Sequence, residues 1–395
     1  MSRFMDFIKH ENGCAADTLE VCQTDMPLLS SGQVLVKVAC FGLNRADTLQ
    51  RQGKYPAPAG ESDILGLEVS GEIIQFHPEQ MSPQQINNQP FALGDKVFGL
   101  VAGGGYAEYV AVHIQHLMPV PLNMDMPQAA GIAECFLTAY QAMFIENNLQ
   151  PKQHVLIHAG ASGVGLAAIQ LAKRFGCDVA VTASSQAKLD LCKQLGADLV
   201  INYKQQDFAV EIAKHWQGCD LIIDFVAGDY LNRNLKLLNI DGSVLYLAML
   251  AGRYADKLDM ALMLGKRATI KGSTLRSRDD LYKTNLIKEF SQTCLADFDN
   301  QKLVPNIDTE FAAKNVGKAH LRIENNDTMG KLIGCWCILC RASEDNEKTG
   351  VGINSFFVKL LCQTTFEYHF IYLIGLCTTF LFHYNNYLTD VSGFF

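Results

Sequence analysis

Two rhythms of apolar residues divide the chain. Up to about residue 120 they come in short runs broken by glycine: 34–39 entered through Ser31-Gly32, 66–74, 91–98 around a Gly94-Asp95 turn, and 106–112 after Gly103-Gly104-Gly105. Short runs with glycine turns and no helical period predict strands wrapped into a small barrel. The Gln- and Asn-rich stretch 78–90 reads as a solvated loop between two of them. From Pro127 the period lengthens, and 128–132 and 137–143 read as helices. Strand and helix patterns then alternate: strand 155–159, helix 164–175, strand 179–182, helix 186–195 ended by Gly196, and strands 199–201, 220–225 and 243–247. That alternation predicts a doubly wound parallel α/β sheet of Rossmann type. Beyond Lys266 the chain is expected to return to the first domain and end it with a strand at 329–333. The expected domains are thus 1–126, 127–265 with 266–333 rejoining the first, and an atypical extension at 334–395.

The chemistry starts where the buried strand at 155–159 runs into Ala159-Gly160-Ala161-Ser162-Gly163-Val164-Gly165 and a helix begins at once. Small residues let a main chain approach a pyrophosphate closely, and a helix N-terminus offers unpaired N–H groups and a partial positive charge. Gly160, Gly163 and Gly165 space as G-x-x-G-x-G, a variant of the common dinucleotide fingerprint, and the same turn also suits a tight strand-to-helix connection without a ligand. An NAD site ordinarily carries an acid at the end of the second strand for the ribose 2′-hydroxyl. Here that place reads Thr182-Ala183-Ser184-Ser185-Gln186-Ala187-Lys188. With Ser185 and Lys188 there, and Tyr203 after the third strand, a 2′-phosphate is the better fit, so NADPH is the expected cofactor. Lys188 also reads as an ordinary solvated helix residue.

Composition narrows the classes. The 395 residues suffice for two cores, and a formal net charge of -8 disfavours a nucleic-acid footprint. The N-terminus lacks a basic start with a long apolar run, so no secretory signal is read and a cytoplasmic location is expected. Eight of the 13 cysteines lie singly before residue 335, which suits thiols used as small core groups in a reducing compartment. Cys135 is read in that way, since no His-plus-acid arrangement marks it as a nucleophile.

The run Gly163-Val164-Gly165-Leu166-Ala167-Ala168-Ile169-Gln170-Leu171-Ala172 resembles the signature of zinc-independent quinone oxidoreductases, within the medium-chain dehydrogenase/reductase superfamily. Leu43-Asn44-Arg45-Ala46-Asp47, Gln52-Gly53-Lys54-Tyr55-Pro56 and Leu275-Arg276-Ser277-Arg278-Asp279 resemble the tumour-suppressor-inducible branch. The resemblance reaches from the N-terminus to about Ile333. It implies a GroES-like barrel, a Rossmann domain, an NADPH cleft between them and a homodimer. By motif, Asn44 and Tyr55 would face nicotinamide and substrate, with Thr138 seating the nicotinamide. Ser162, Gly163 and Val164 would hold the pyrophosphate, and Ser185, Lys188 and Tyr203 the 2′-phosphate. Met249 and Leu275 match positions on the nicotinamide side.

Zinc-dependent members of the superfamily use a Cys and the His of Gly-His-Glu, where this chain has Asn44 and Leu67. Neither replaces a thiolate or imidazole, so no metal is expected. Without a Lewis acid to polarise an alcohol, an electron-poor acceptor becomes the better substrate. Reduction of a small quinone is the leading reading. Reduction of an α,β-unsaturated carbonyl and a non-catalytic NADPH-binding role remain alternatives. Asn44 and Tyr55 would hydrogen-bond the acceptor carbonyl or the nicotinamide end, and Tyr55 either donates a proton or merely forms an aromatic wall. In the extension, 370–382 holds no charge over 13 residues, short of the ~20 that a spanning helix needs. A spurious extension, an interfacial membrane anchor and a partner-binding segment all fit it.

Overall fold

A computed structural model describes residues 3–78, 90–255 and 257–336. Most of the loop expected at 78–90 and all of the tail beyond Trp336 lie outside the described residues. In chain order the elements are β1 (Phe4–Lys9), β2 (Glu20–Asp25), β3 (Gln33–Leu43), α1 (Arg45–Arg51), β4 (Glu68–Phe76), β5 (Lys96–Leu100), β6 (Tyr109–His113) and β7 (Leu117–Pro119). After them come α2 (Ala133–Tyr140), β8 (His154–Ile157), α3 (Gly163–Arg174), β9 (Asp178–Ala183), α4 (Gln186–Gln194), β10 (Leu199–Asn202), β11 (Cys219–Asp224), β12 (Leu238–Tyr246) and β13 (Thr269–Gly272). The chain closes through α5 (Asp280–Asp299), β14 (Ile307–Ala312) and β15 (Lys331–Cys335).

The first sheet is ordered β14-β15-β3-β4-β5-β7, with β6 also on β3. The long strand β3 makes its curvature. One edge pairs with β4, while the other pairs with β6 over 33–37 and with β15 over 40–43. Its register shifts at Leu35/Val36 and Val38/Cys40 are bulges, which bend a strand and raise its twist. Inside the curl, Val34, Val36, Phe41, Val69, Ile73 and Val97 form one apolar core. The final strand runs to Cys335, past the expected 333, and Trp336 packs on Phe41 with ring centroids 6.3 Å apart.

The second sheet is parallel, ordered β10-β9-β8-β11-β12-β13, as the alternating pattern predicted. Apolar cores lie on both its faces, so its central strands carry nearly continuous apolar runs. The expected return at Lys266 comes later. β13 pairs with β12 as the sixth strand, and Leu286, Ile287, Phe290 and Phe298 of α5 belong to the core of this sheet. The strand Thr269-Ile270-Lys271-Gly272 is too short and too polar to announce itself, and packing onto β12 places it.

Candidate active site

The turn after β8 is built tightly. Ala159 sits in the left-handed region at φ 49°, a conformation that a residue with a Cβ rarely holds. At Gly165 a Cβ would lie 2.6 Å from the Gly160 carbonyl oxygen and 2.7 Å from that of Ala159, so only glycine lets α3 start this close to the turn. Ser162 caps the helix, its Oγ accepting the Gly165 N–H at 3.1 Å. The amides of Gly163 and Val164, in the first turn, have no intrahelical acceptor. A parallel bridge between Ser162 and Gly330 ties the turn to the approach of β15, where the Gly330 N–H donates to the Ala161 carbonyl at 3.0 Å.

The sheet order brings the other expected cofactor residues to the carboxyl ends of the strands. Ser185 is the N-cap of α4, and its side chain caps no amide. Lys188 donates to the Asn326 carbonyl at 2.8 Å. Burial lowers its pKa, opposed by Asp327 and Asp308. The Tyr203 N–H bonds the Ala183 carbonyl at 3.2 Å, which holds the tyrosine beside the end of β9 with 42% of its surface exposed. Thr138, on α2, is buried and its Oγ1 has no partner, so it has a hydroxyl to offer a polar ligand group. Met249, after β12, is exposed, whereas Leu275, after β13, is buried in the core. These residues fit a dinucleotide: uncapped amides at a helix start for a pyrophosphate, and an orphan hydroxyl on α2 for a polar ligand group.

The barrel side of the site is a cluster of charges. Glu68, fully buried, forms an ion pair with Lys331, which is 4% exposed. Its Oε1 also accepts from Asn44 Nδ2 at 3.1 Å and its Oε2 from the Glu134 N–H at 2.9 Å. Gly42 makes room, because a Cβ there would fall within 2.2 Å of Glu68 Oε1. Lys331 Nζ donates to Asn44 Oδ1 at 2.5 Å. Burial opposes its charge, but the Glu68 carboxylate, ion-paired and hydrogen-bonded to it, prevails and raises its pKa above the ordinary lysine value. Burial pushes Cys135 up to about 12, so it stands as a thiol, in keeping with the core role expected of it.

Asp47 extends the cluster. Its Oδ2 accepts the Asn44 N–H at 2.7 Å and the Tyr106 hydroxyl at 3.1 Å, while Oδ1 is buried without a partner. Burial raises its pKa to about 6. Glu134 is pushed up to about 8, first by burial and then by Glu68. Tyr106 hands the chain of contacts to His320 Nε2 at 3.1 Å, and His320 Nδ1 meets Arg51 Nε at 3.3 Å. Tyr55 is half-buried, with the Arg276 guanidinium 5.6 Å from its ring centroid. Burial raises the pKa of its phenol.

The amide of Asn44 is thus spent inside the protein, on Gly42, Glu68 and Lys331, rather than left open as the motif implied. Tyr55 keeps its place beside the cluster. Glu68, Lys331, Asp47, Glu134 and Arg276 were not singled out from sequence. The available signal was a charge set within an apolar strand pattern, as in Gly66-Leu67-Glu68-Val69 and Gly330-Lys331-Leu332. Cofactor turn and charge cluster adjoin at Gly163, where a Cβ would stand 2.7 Å from Cys135 Sγ and 3.6 Å from Lys331 Cδ.

Two sequence families match: an alcohol dehydrogenase GroES-like domain over residues 30–122 and a zinc-binding dehydrogenase over 163–292. The chain is 30% identical over 325 residues to the synaptic vesicle membrane protein VAT-1 homolog of Danio rerio, covering 78% of this chain and 65% of that protein. It therefore spans just under two thirds of that relative. It is 28% identical over 312 residues to the quinone oxidoreductase of Homo sapiens, covering 78% of this chain and 90% of that one. Among solved structures, the quinone oxidoreductase from Coxiella burnetii superposes with a TM-score of 0.68 at 26% identity, covering 85% of this chain and all of that one at 100%.

Proposed function

The chain belongs to the medium-chain dehydrogenase/reductase superfamily, and we propose that it is an oxidoreductase that uses NADPH to reduce small quinones without a metal. The observation that carries the cofactor choice is the end of β9. No acid stands at the end of β9 itself, so the Ser185 and Tyr203 hydroxyls and the Lys188 ammonium, released from the Asn326 carbonyl, are the groups a 2′-phosphate would meet. The bound nicotinamide would supply the hydride. The chain's own part is to hold the pyrophosphate on the Gly163 and Val164 amides with the Ser162 hydroxyl, to seat the carboxamide end by Thr138, and to keep water from the transfer.

Metal independence is argued from the donor set. A divalent ion between Asn44 and Glu68 would have to displace or face the Lys331 ammonium, which already neutralises Glu68. An acceptor that is electron-poor from the start needs no such Lewis acid. Lys331, held charged by Glu68, orients the Asn44 amide through its hydrogen bond to Oδ1. Asn44 thereby acts as a positioning residue, with Tyr55 as the group nearest the acceptor.

Reduction of an α,β-unsaturated carbonyl is favoured by one observation, the half-buried Tyr55 phenol. The phenol is protonated at neutral pH and stands beside the charge cluster, so it can hand its proton to the carbon that hydride transfer leaves negative. No helix among the described residues is long and apolar enough to cross a membrane. We place the enzyme in a reducing cytosol, since Cys135, Cys177, Cys192, Cys219 and Cys294 are buried as thiols, and we propose a homodimer by resemblance. The test is NADPH oxidation over ortho-quinones, para-quinones and enals, with NADH as control and Lys188→Ala beside the parent. The expected result is ortho- or para-quinone turnover with NADPH preferred, and a preference reduced by roughly tenfold in Lys188→Ala. NADH preferred over NADPH would overturn the cofactor reading, and turnover confined to enals would replace the quinone reading.

A further inference from the structure

Arg276 is 5% exposed, and its side chain is left incomplete. Nε donates to the Ala102 carbonyl at 2.7 Å, but neither Nη1 nor Nη2 has a partner. A buried guanidinium without acceptors is costly, and a chain that tolerates one has a reason to keep the fork open. Arg51 supplies the internal contrast. It is buried to 2%, yet its Nε meets His320 and its two terminal nitrogens meet the Cys14 carbonyl and the Glu324 carboxylate. Where this fold buries that arginine for structure, it satisfies it.

The open fork lies in the segment after β13, with its guanidinium 5.6 Å from the Tyr55 ring centroid. Asp47, Glu134 and Glu61 act on it electrostatically, but none forms an ion pair with it. The cofactor's phosphates are accounted for elsewhere, after β8 and β9. In the sheet order β10-β9-β8-β11-β12-β13, Arg276 follows the opposite edge strand.

We propose that Arg276 recognises a negatively charged substituent of the acceptor, so that the preferred substrates are quinones or enones bearing a carboxylate or sulfonate group. This rests on the reading of the Tyr55 region as the acceptor site. A planar fork with both terminal nitrogens free matches two oxygens of one anionic group, whereas a single developing oxyanion would leave one nitrogen still unpaired.

The experiment compares 1,2-naphthoquinone-4-sulfonate with 1,2-naphthoquinone on the full-length parent, Arg276→Gln and Arg276→Lys. In Arg276→Gln the KM for the sulfonate should rise by roughly 100-fold, with kcat nearly kept, because a desolvated charge partner has been removed. The KM for the parent quinone should move by less than about threefold, and Arg276→Lys should recover part of the loss as a point charge without the fork. Equal losses on both quinones would overturn the proposal in favour of a general electrostatic role. A matching loss of NADPH affinity, read by fluorescence titration, would overturn it in favour of the cofactor. Should the parent reduce neither quinone, the quinone reading fails by itself. Calorimetric titration of 2-naphthoate into the NADPH-loaded protein still decides the inference: binding that Arg276→Gln abolishes supports it, and absence of binding to the parent sinks it.

Discussion

The cofactor turn and the charge cluster touch at Gly163, yet they are made of opposite materials. The turn uses backbone amides, missing side chains and one serine cap, all within seven consecutive residues. The cluster uses long charged side chains from β4, α1, α2, the segment after β13 and β15, residues up to 287 positions apart. The first tolerates almost no added atom. The second depends on which charge faces which, since Glu68 and Lys331 are buried as a pair and neither is at ease without the other. Different kinds of damage should therefore distinguish them.

The largest effect is expected from Lys331→Met. It leaves the Glu68 carboxylate, 0% exposed, without its counter-ion, and breaking a buried pair from one side costs about 3–5 kcal/mol. Urea unfolding would read the loss. The double variant Glu68→Gln with Lys331→Met should regain much of it, and a single variant as stable as the parent would remove the ion pair from the account. Next comes Gly165→Ala, which sets a Cβ within 2.7 Å of two backbone oxygens that have little freedom to yield. A strain of about 1–3 kcal/mol, if it falls on the bound state, should weaken NADPH by roughly 5- to 150-fold in a fluorescence titration. Unaltered affinity would mean that the turn does not need its closeness to hold a phosphate.

A smaller change is expected at Tyr55. If the ring chiefly shapes the wall, Tyr55→Phe should lower kcat/KM for quinones by less than about tenfold, below ~1.4 kcal/mol in the barrier. A loss of several orders of magnitude would make the phenol the obligate proton donor. A pH dependence of stability, rather than of activity, is expected at Glu134. Burial and Glu68 raise its carboxyl from the ordinary 4.5 to about 8. The native state therefore keeps a proton that the unfolded state has lost, and stability falls as pH rises between those two values. Glu134→Gln should match the parent near the acid end of that window and become the more stable protein above it. Parallel curves of the midpoint denaturant concentration against pH would refute this assignment.

The parallel sheet and the glycine turn were legible because both are local. Alternating strand and helix rhythms reveal the sheet, and a run of small residues between a buried strand and a helix reveals the turn. The absence of an acid after β9 was equally readable, since it is a statement about adjacent positions. Where locality ended, so did legibility. The sixth strand 269–272 was missed because four residues carry too little pattern, and only its register with β12 identifies it. Asn44 and Tyr55 could be placed near a site by motif, but not assigned their partners. That Asn44 spends its amide on Glu68 and Lys331, and that Arg276 keeps an open fork beside Tyr55, follows from contacts across hundreds of residues. By itself the sequence determined where a tight turn of small residues joins a buried strand to a helix. Only the tertiary structure decided which buried charges neutralise one another and which one keeps unpartnered nitrogens, because burial and pairing depend on neighbours that the chain order does not specify.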